Sequence, residues 1–191
     1  MYPLALVTLG AALVALWLAW IQPDDMQRFS DTRATAHAAN FWAYRQALVA
    51  YQNAHFQDAN GYIDYGALSG NQPPGSPANA LAGLLPPGFV MMQSATNTEC
   101  THNSNPRELW SHWFAGGRLY TFSCLPVEAL PGGIVTAIAN DHGRSLMIGI
   151  RQGDRIKTLY ELNIPPYTVT GTFFPDFPPQ IPEGAFVVIG N

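Results

Sequence analysis

From Tyr2 to Ile21 the chain reads YPLALVTLGAALVALWLAWI, without one charged side chain. A helix of about 20 such residues matches the roughly 30 Å hydrocarbon core of a bilayer. Trp17 and Trp20 cluster at its far end, where indoles favour the membrane–water interface. Pro23 lacks an N–H and clashes with the preceding turn, so it is expected to end or kink this helix. Asp24, Asp25, Ser30 and Asp31 offer caps for a second one. From Asp31 to His55 the period becomes that of an amphipathic helix. Phe41, Tyr44, Leu48 and Tyr51 fall on one stripe, and Trp42 and Val49 widen it. Ala34, Ala38, Ala43, Ala47 and Ala50 add helix propensity and allow close approach. The stripe predicts a helix lying on a sheet, with Phe41, Tyr44, Leu48 and Tyr51 as the face that meets it.

Beyond the helix the pattern shortens. Asn60-Gly61 marks a turn, and residues 69–88, rich in Pro, Gly, Ser and Asn, read as an irregular loop. Phe89–Met92 is a short strand candidate. Over Arg118–Cys124, Tyr120, Phe122 and Cys124 alternate with Leu119, Thr121 and Ser123, the period of a strand. Gly116-Gly117 supplies a tight turn from Trp110–Phe114. Gly132–Asn140 predicts a short helix. Ser145–Arg151 and Arg155–Tyr160 flank Gly153-Asp154, where glycine in the first central position suits a type II′ hairpin. After Leu162, Pro165, Pro166, Pro175, Pro178, Pro179 and Pro182 interleave with Tyr167, Phe173, Phe174 and Phe177. This polyproline-prone segment with apolar teeth either wraps the domain or serves a partner. Ala185–Ile189 reads as an edge strand. The predicted class is α+β: a membrane anchor over 1–22, an α+β domain over 23–161 whose amphipathic helix packs on a small antiparallel sheet, and a Pro-rich C-terminal extension over 162–191.

Composition sharpens this division. Of 191 residues, the part beyond the apolar run suffices for one domain with a core, not two. Only 12% of residues are charged, against about 25% in typical soluble domains. Net charge is −4, and Lys157 is the one lysine beside eight arginines. No basic stripe exists to neutralise phosphates, which excludes nucleic acid as a partner. The rival to an anchor is a cleaved signal peptide, which would want a basic start, a shorter apolar stretch and a small-x-small site. Met1-Tyr2-Pro3 has no basic side chain and Leu18-Ala19-Trp20-Ile21 is a poor cleavage site, so an uncleaved single-pass anchor is expected. Asp24, Asp25 and Asp31 balance Arg28 and Arg33 beyond it, leaving only a weak preference for an exported domain. Cys100 and Cys124, an even pair in an exported chain, are expected to form a disulfide. It would close a loop of about 25 residues and stabilise by roughly 3 kcal/mol. The alternative is two buried thiols.

Candidate chemistry is sparse. Cys100-Thr101-His102 with His112 lacks the spacing of a zinc site. Asp141, His142 and Ser145 are neighbours in sequence, which is no support for a triad assembled in space. Gly143-Arg144-Ser145-Leu146-Met147 misses the second glycine of a nucleophile elbow. No phosphate-binding loop or dinucleotide fingerprint occurs. Asp58 and Asp64 pair only if the fold brings them to a set separation. No catalytic residue, cofactor or metal is therefore expected, and the function is of the structural or binding kind.

The runs FWAYRQALVAYQNA (41–54), GYIDYGAL (61–68), LLPPGF (84–89), WSHWFAGGRLYTFS (110–123) and GGIVTAIANDHGRSLMIGI (132–150) follow in that order behind the apolar helix. This sequence resembles the PilM family of the thin, type IVb pili encoded by conjugative plasmids and related elements. The resemblance covers about residues 2–160. It implies a bacterial inner-membrane protein of pilus biogenesis, anchored once, with most of the chain in the periplasm. Such a protein is non-enzymatic, works in the pilin-transport apparatus or basal body, and has pilus assembly proteins or pilin as partners. The loop at 69–83, the cysteine pair and the tail from 162 depart from the family pattern, as an insertion, a feature of this chain and an extension. The layout is also similar to that of type IV pilins, with an apolar half-helix, a kink, an amphipathic half-helix and an antiparallel sheet. The short basic leader ending in glycine before phenylalanine is missing, as is the early glutamate, so prepilin processing is not expected. An assembly component is the first expectation. The alternatives are a minor pilin within the filament, and an anchored periplasmic hydrolase or ligand-binding domain, which would show a concave pocket with convergent polar groups. Phe173, Phe174 and Phe177 are the expected partner contacts, unless they pack back on their own domain.

Overall fold

The computed structural model describes residues 2–54, 60–63, 84–101, 103, 105–141, 147–158, 172–173 and 177–190. In α1 the side chains described are those of Ala12, Arg28 and Ser30 onward. Helix α1 spans Tyr2–Ala54 without interruption, so Pro23 does not end it. A proline removes one backbone bond, here to the Ala19 carbonyl, and helix-favouring runs on both sides carry the chain past that loss. No helix among the described residues is long and apolar enough to cross a membrane. In the run at 2–21, on which the anchor expectation falls, Ala12 alone has a described side chain.

Glycine turns set the hairpins. Strand β1 (Trp110–Ala115) meets β2 (Arg118–Pro126) through Gly116 and Gly117, at φ 56° and 72°. Two consecutive positive φ values are those of a type I′ turn, whose twist matches that of paired strands. Strands β3 (Met147–Gln152) and β4 (Arg155–Thr158) close with Gln152 opposite Arg155. Gly153 has φ 62°, and no non-glycine residue among those described has positive φ, the signs of the expected type II′ turn. Gly149 on β3 has no room for a side chain, because a Cβ would collide with Ile156 and the Lys157 carbonyl. A short 3-10 turn (Val127–Ala129) and helix α2 (Ile134–Asp141) join the two hairpins. Gly133, at φ 81°, lets α2 press on α1; its Cβ would stand 3.3 Å from that of Ala34. Strand β5 is Thr172–Phe173 and β6 is Ala185–Ile189.

All pairings are antiparallel, in the order β1-β2-β6-β3-β4-β5. Strand β6 is therefore central, not an edge strand. Thr121 lies opposite Val188 on one side of it, and Ile148 opposite Val188 on the other. The reason is in its composition. An unbroken AFVVI run has no polar face, and all five residues are buried. Such a strand is stable only with both faces covered. Strand β6 thus lies in the middle of the sheet, and Pro178, Ile181 and Pro182 before it are also buried. Phe89–Met92 is not a ladder strand either. Its backbone is held by the Asn40 side chain, through Val90 O at 2.9 Å and Met92 N at 3.2 Å, and by Leu109 N to Met92 O at 2.9 Å.

The sheet has two covered faces. Toward the helices, Phe41, Leu48, Trp110, Phe114, Leu119, Ile138, Phe186 and Val188 form one core. On the opposite face Tyr120, Phe122, Ile156, Ile181, Val187 and Ile189 form a second, with Cys100 and Cys124.

Candidate functional site

The α1 stripe is where the helix engages the sheet. Phe41, Tyr44 and Leu48 are buried, and Tyr51 is half-buried. Phe41 meets Trp110 and Phe186 edge-on, with centroids 5.0 and 6.0 Å apart, and Tyr51 lies 6.0 Å from Phe114. Such aromatic pairs add to the stabilisation from area burial.

Arg45 sits on the same buried side, between Phe41 and Leu48. Its Nη1 donates to Thr121 Oγ1 at 2.8 Å and to the Val188 carbonyl at 3.2 Å, and its Nη2 donates to the Gly190 carbonyl at 2.7 Å. None of these partners is a carboxylate. Burial lowers its pKa to about 10, which leaves it a cation at neutral pH. The guanidinium fork thus clamps α1 to β2 and to the end of β6.

Next to Arg45 in the helix, Tyr44 Oη lies 2.6 Å from His112 Nδ1, and His112 Nε2 accepts the Ile63 N–H at 3.1 Å. Accepting that bond requires Nε2 to be unprotonated, so the neutral ring carries its proton on Nδ1 and donates to Tyr44. Tyr62 stacks on the imidazole at 5.0 Å. Gly61 pairs with Phe114 through both backbone bonds, at 2.8 and 2.9 Å, so residues 61–63 cover the outer edge of β1 beside this histidine. The bonds of His112 fix the 61–63 segment; its ring is fully buried.

A third set of polar contacts staples the 94–105 loop. Cys100 and Cys124 are bonded, with Cα atoms 5.2 Å apart. Asn103 Nδ2 donates to the Trp110 carbonyl at 3.1 Å, and Ser111 Oγ donates to Asn103 Oδ1 at 2.7 Å. Among the described residues, no three His, Cys, Asp or Glu side chains are placed to hold a metal ion. The buried polar groups traced here are turned inward, onto backbone that needs fixing.

The Phe/Pro segment divides. Phe177 is half-buried; its ring meets Tyr120 edge-on at 5.7 Å, and the Arg151 guanidinium lies over it at 5.2 Å. That ring thus packs in part on its own domain. Phe173 lies on β5 opposite Arg155, and its side chain is outside the description. Phe174 is outside the described residues, as are His55, Asp58, Asp64, His102, His142 and Ser145.

Two surface features remain. A groove of about 490 Å³ between α1 and α2 is lined by small and polar residues, including Asp31, Ala34, Thr35, Gly133, Thr136 and Asn140. The turn from Pro86 carries Val90, 69% exposed and held in place through Asn40. Arg45, His112 and Asn103 were not singled out by sequence reasoning for the roles they play. Only Arg45 carried a signal, as a lone charge four residues after Phe41 and three before Leu48 on an apolar stripe.

No curated protein and no solved structure matches the chain. A family model described as PilM, of thin conjugative pili, matches residues 10–189, nearly the whole chain; this protein belongs to the PilM family and so to the proteins of pilus biogenesis.

Proposed function

We propose that this protein is a non-enzymatic, single-pass inner-membrane component of type IVb pilus assembly, with its α+β domain in the periplasm. The carrying observation is the family match over residues 10–189. Two features support the finer reading. The apolar run at 2–21 is continuous, in one helix, with the stripe that enters the domain core. The Cys100–Cys124 bond suits an oxidising compartment. In this reading the domain acts by contact with pilin or with pilus assembly proteins, uses no cofactor, and does not bind nucleic acid. The exposed turn at Pro86–Val90 is surface for such contacts.

A minor pilin is the second reading, favoured by one observation: a long N-terminal helix laid against an antiparallel sheet, the layout of type IV pilins. Fractionation separates the two. Antiserum against the protein is used on sheared filaments and on washed inner membranes, before and after alkaline carbonate. An assembly component stays in carbonate-washed inner membrane. Signal in the filaments makes the protein a pilin, and release by carbonate removes the anchor.

A further inference from the structure

We propose that the domain closes only when its C-terminal strand inserts, so that the sheet is assembled from two separate hairpins by the last segment of the chain. Strands β2 and β3 do not pair with each other; β6 stands between them and pairs with both. With β6 removed, the facing edges of β2 and β3 stand two strand spacings apart, about 10 Å, too far for backbone hydrogen bonds. Both edges then hold unpaired N–H and C=O groups, which are costly away from water.

Both cores depend on the same strand. Phe186 and Val188 belong to the helix-side core, and Ala185, Val187 and Ile189 to the opposite one. Neither core is complete before β6 arrives. The side chains that receive β6 are already in place on earlier elements. Arg45 of α1 binds the Val188 and Gly190 carbonyls. Ser123 Oγ of β2 accepts the Phe186 N–H at 2.9 Å and donates to the Leu125 carbonyl at 2.6 Å. The register shift between Phe122 and Pro126 opens β2 at that point, which brings Ser123 to Phe186. The turn ahead of β6 is held from the other hairpin: Glu183 accepts the Gly153 N–H at 2.9 and 3.0 Å, and Gly184 donates to the Arg151 carbonyl at 3.1 Å. The capture points therefore lie on α1, β2 and the β3–β4 hairpin. One short strand ties three elements that precede it in synthesis.

The full-length protein in detergent micelles tests this by hydrogen exchange, comparing the native chain with Val187→Ala. Closure by β6 predicts that protection falls together in β1–β2 and in β3–β4, by roughly tenfold or more in each. Unchanged protection of β1–β2 with loss confined to β3–β4 would show that α1 and the first hairpin fold by themselves, and would overturn the proposal. A second measurement needs no substitution. The full chain is fused through linkers of increasing length to a translational arrest peptide, which reports folding force on the nascent chain. Apart from any early pull by insertion of the apolar run at 2–21, one force event is expected for the domain, arising only once Ile189 has cleared the exit tunnel. An event already present when β2 or β4 clears it would refute closure by the last strand.

Discussion

At the scale of single residues, Arg45 decides the most, because it is a buried cation facing three neutral oxygens. Arg45→Met keeps the packing of the stem but leaves those acceptors short of a donor. Each unsatisfied buried group costs about 1–3 kcal/mol, so a loss of about 3 kcal/mol or more is expected in urea unfolding. Arg45→Lys should recover little, since an ammonium cannot reproduce a fork that reaches Thr121 and Gly190 at once. His37 is expected to contribute to acid sensitivity. It is 5% exposed, Nδ1 has no hydrogen-bond partner among the described residues, and its pKa is lowered from 6.5, first by burial and then by Arg33. In the interval below pH 6.5 the unfolded chain binds a proton that the folded chain does not. The neutral imidazole's contribution is complete above that pH and is lost as pH falls through the folded-state pKa. His37→Leu should therefore lose less stability than the native protein between about pH 7.5 and pH 5. Equal losses in the two proteins would remove His37 as the cause.

At the scale of elements, the disulfide ties a loop to the second core layer. Cys100 lies on the 94–105 loop and Cys124 on central β2, 24 positions apart. Reduction, or paired replacement by serine, should cost roughly 3 kcal/mol through the freedom restored to the unfolded chain. The check is the urea midpoint with and without reductant, and an unchanged midpoint contradicts it. Hairpins were legible in the sequence because their determinants are local. Gly116-Gly117 and Gly153-Asp154 carry their φ requirements in the turn itself, and alternation over 119–124 assigns the faces. The helix stripe was legible for the same reason. The place of β6 was not, because an AFVVI run says that both faces are covered without saying by what. Its neighbours are fixed by pairings such as Thr121 with Val188, far apart in sequence. Pro23 does not end the helix, because proline weakens a helix by an amount that strong flanks can exceed. Of the Phe/Pro segment, the apolar character of Phe177 was readable, but not that Tyr120 and Arg151 would take up its ring.

At the scale of the whole molecule, α1 links the apolar run to the sheet with no helical break between them. Among the described side chains of α1, the first buried one is Ala34, while Ser30, Asp31, Thr32 and Arg33 are exposed. Under the proposed anchoring, residues 22–33 form a helical stalk of about 18 Å between bilayer and domain. A continuous helix transmits rotation as well as distance: each added residue turns the domain by about 100° and lifts it by about 1.5 Å. Insertions between Asp24 and Asp25 separate the two effects. Seven alanine-rich residues rotate the domain by about 700°, within about 20° of two full turns, and raise it by about 10 Å. Two residues raise it by only about 3 Å but turn it by about 200°. If the assembly machinery contacts one face of the domain, the seven-residue insertion should retain most piliation and the two-residue insertion should lose it. Both proteins should remain in the inner membrane with the Cys100–Cys124 bond formed, which separates a misdirected domain from an unfolded one. Retention of piliation by both would mean that the stalk does not set orientation. Loss by both, with folding intact, would make height the quantity that the helix fixes.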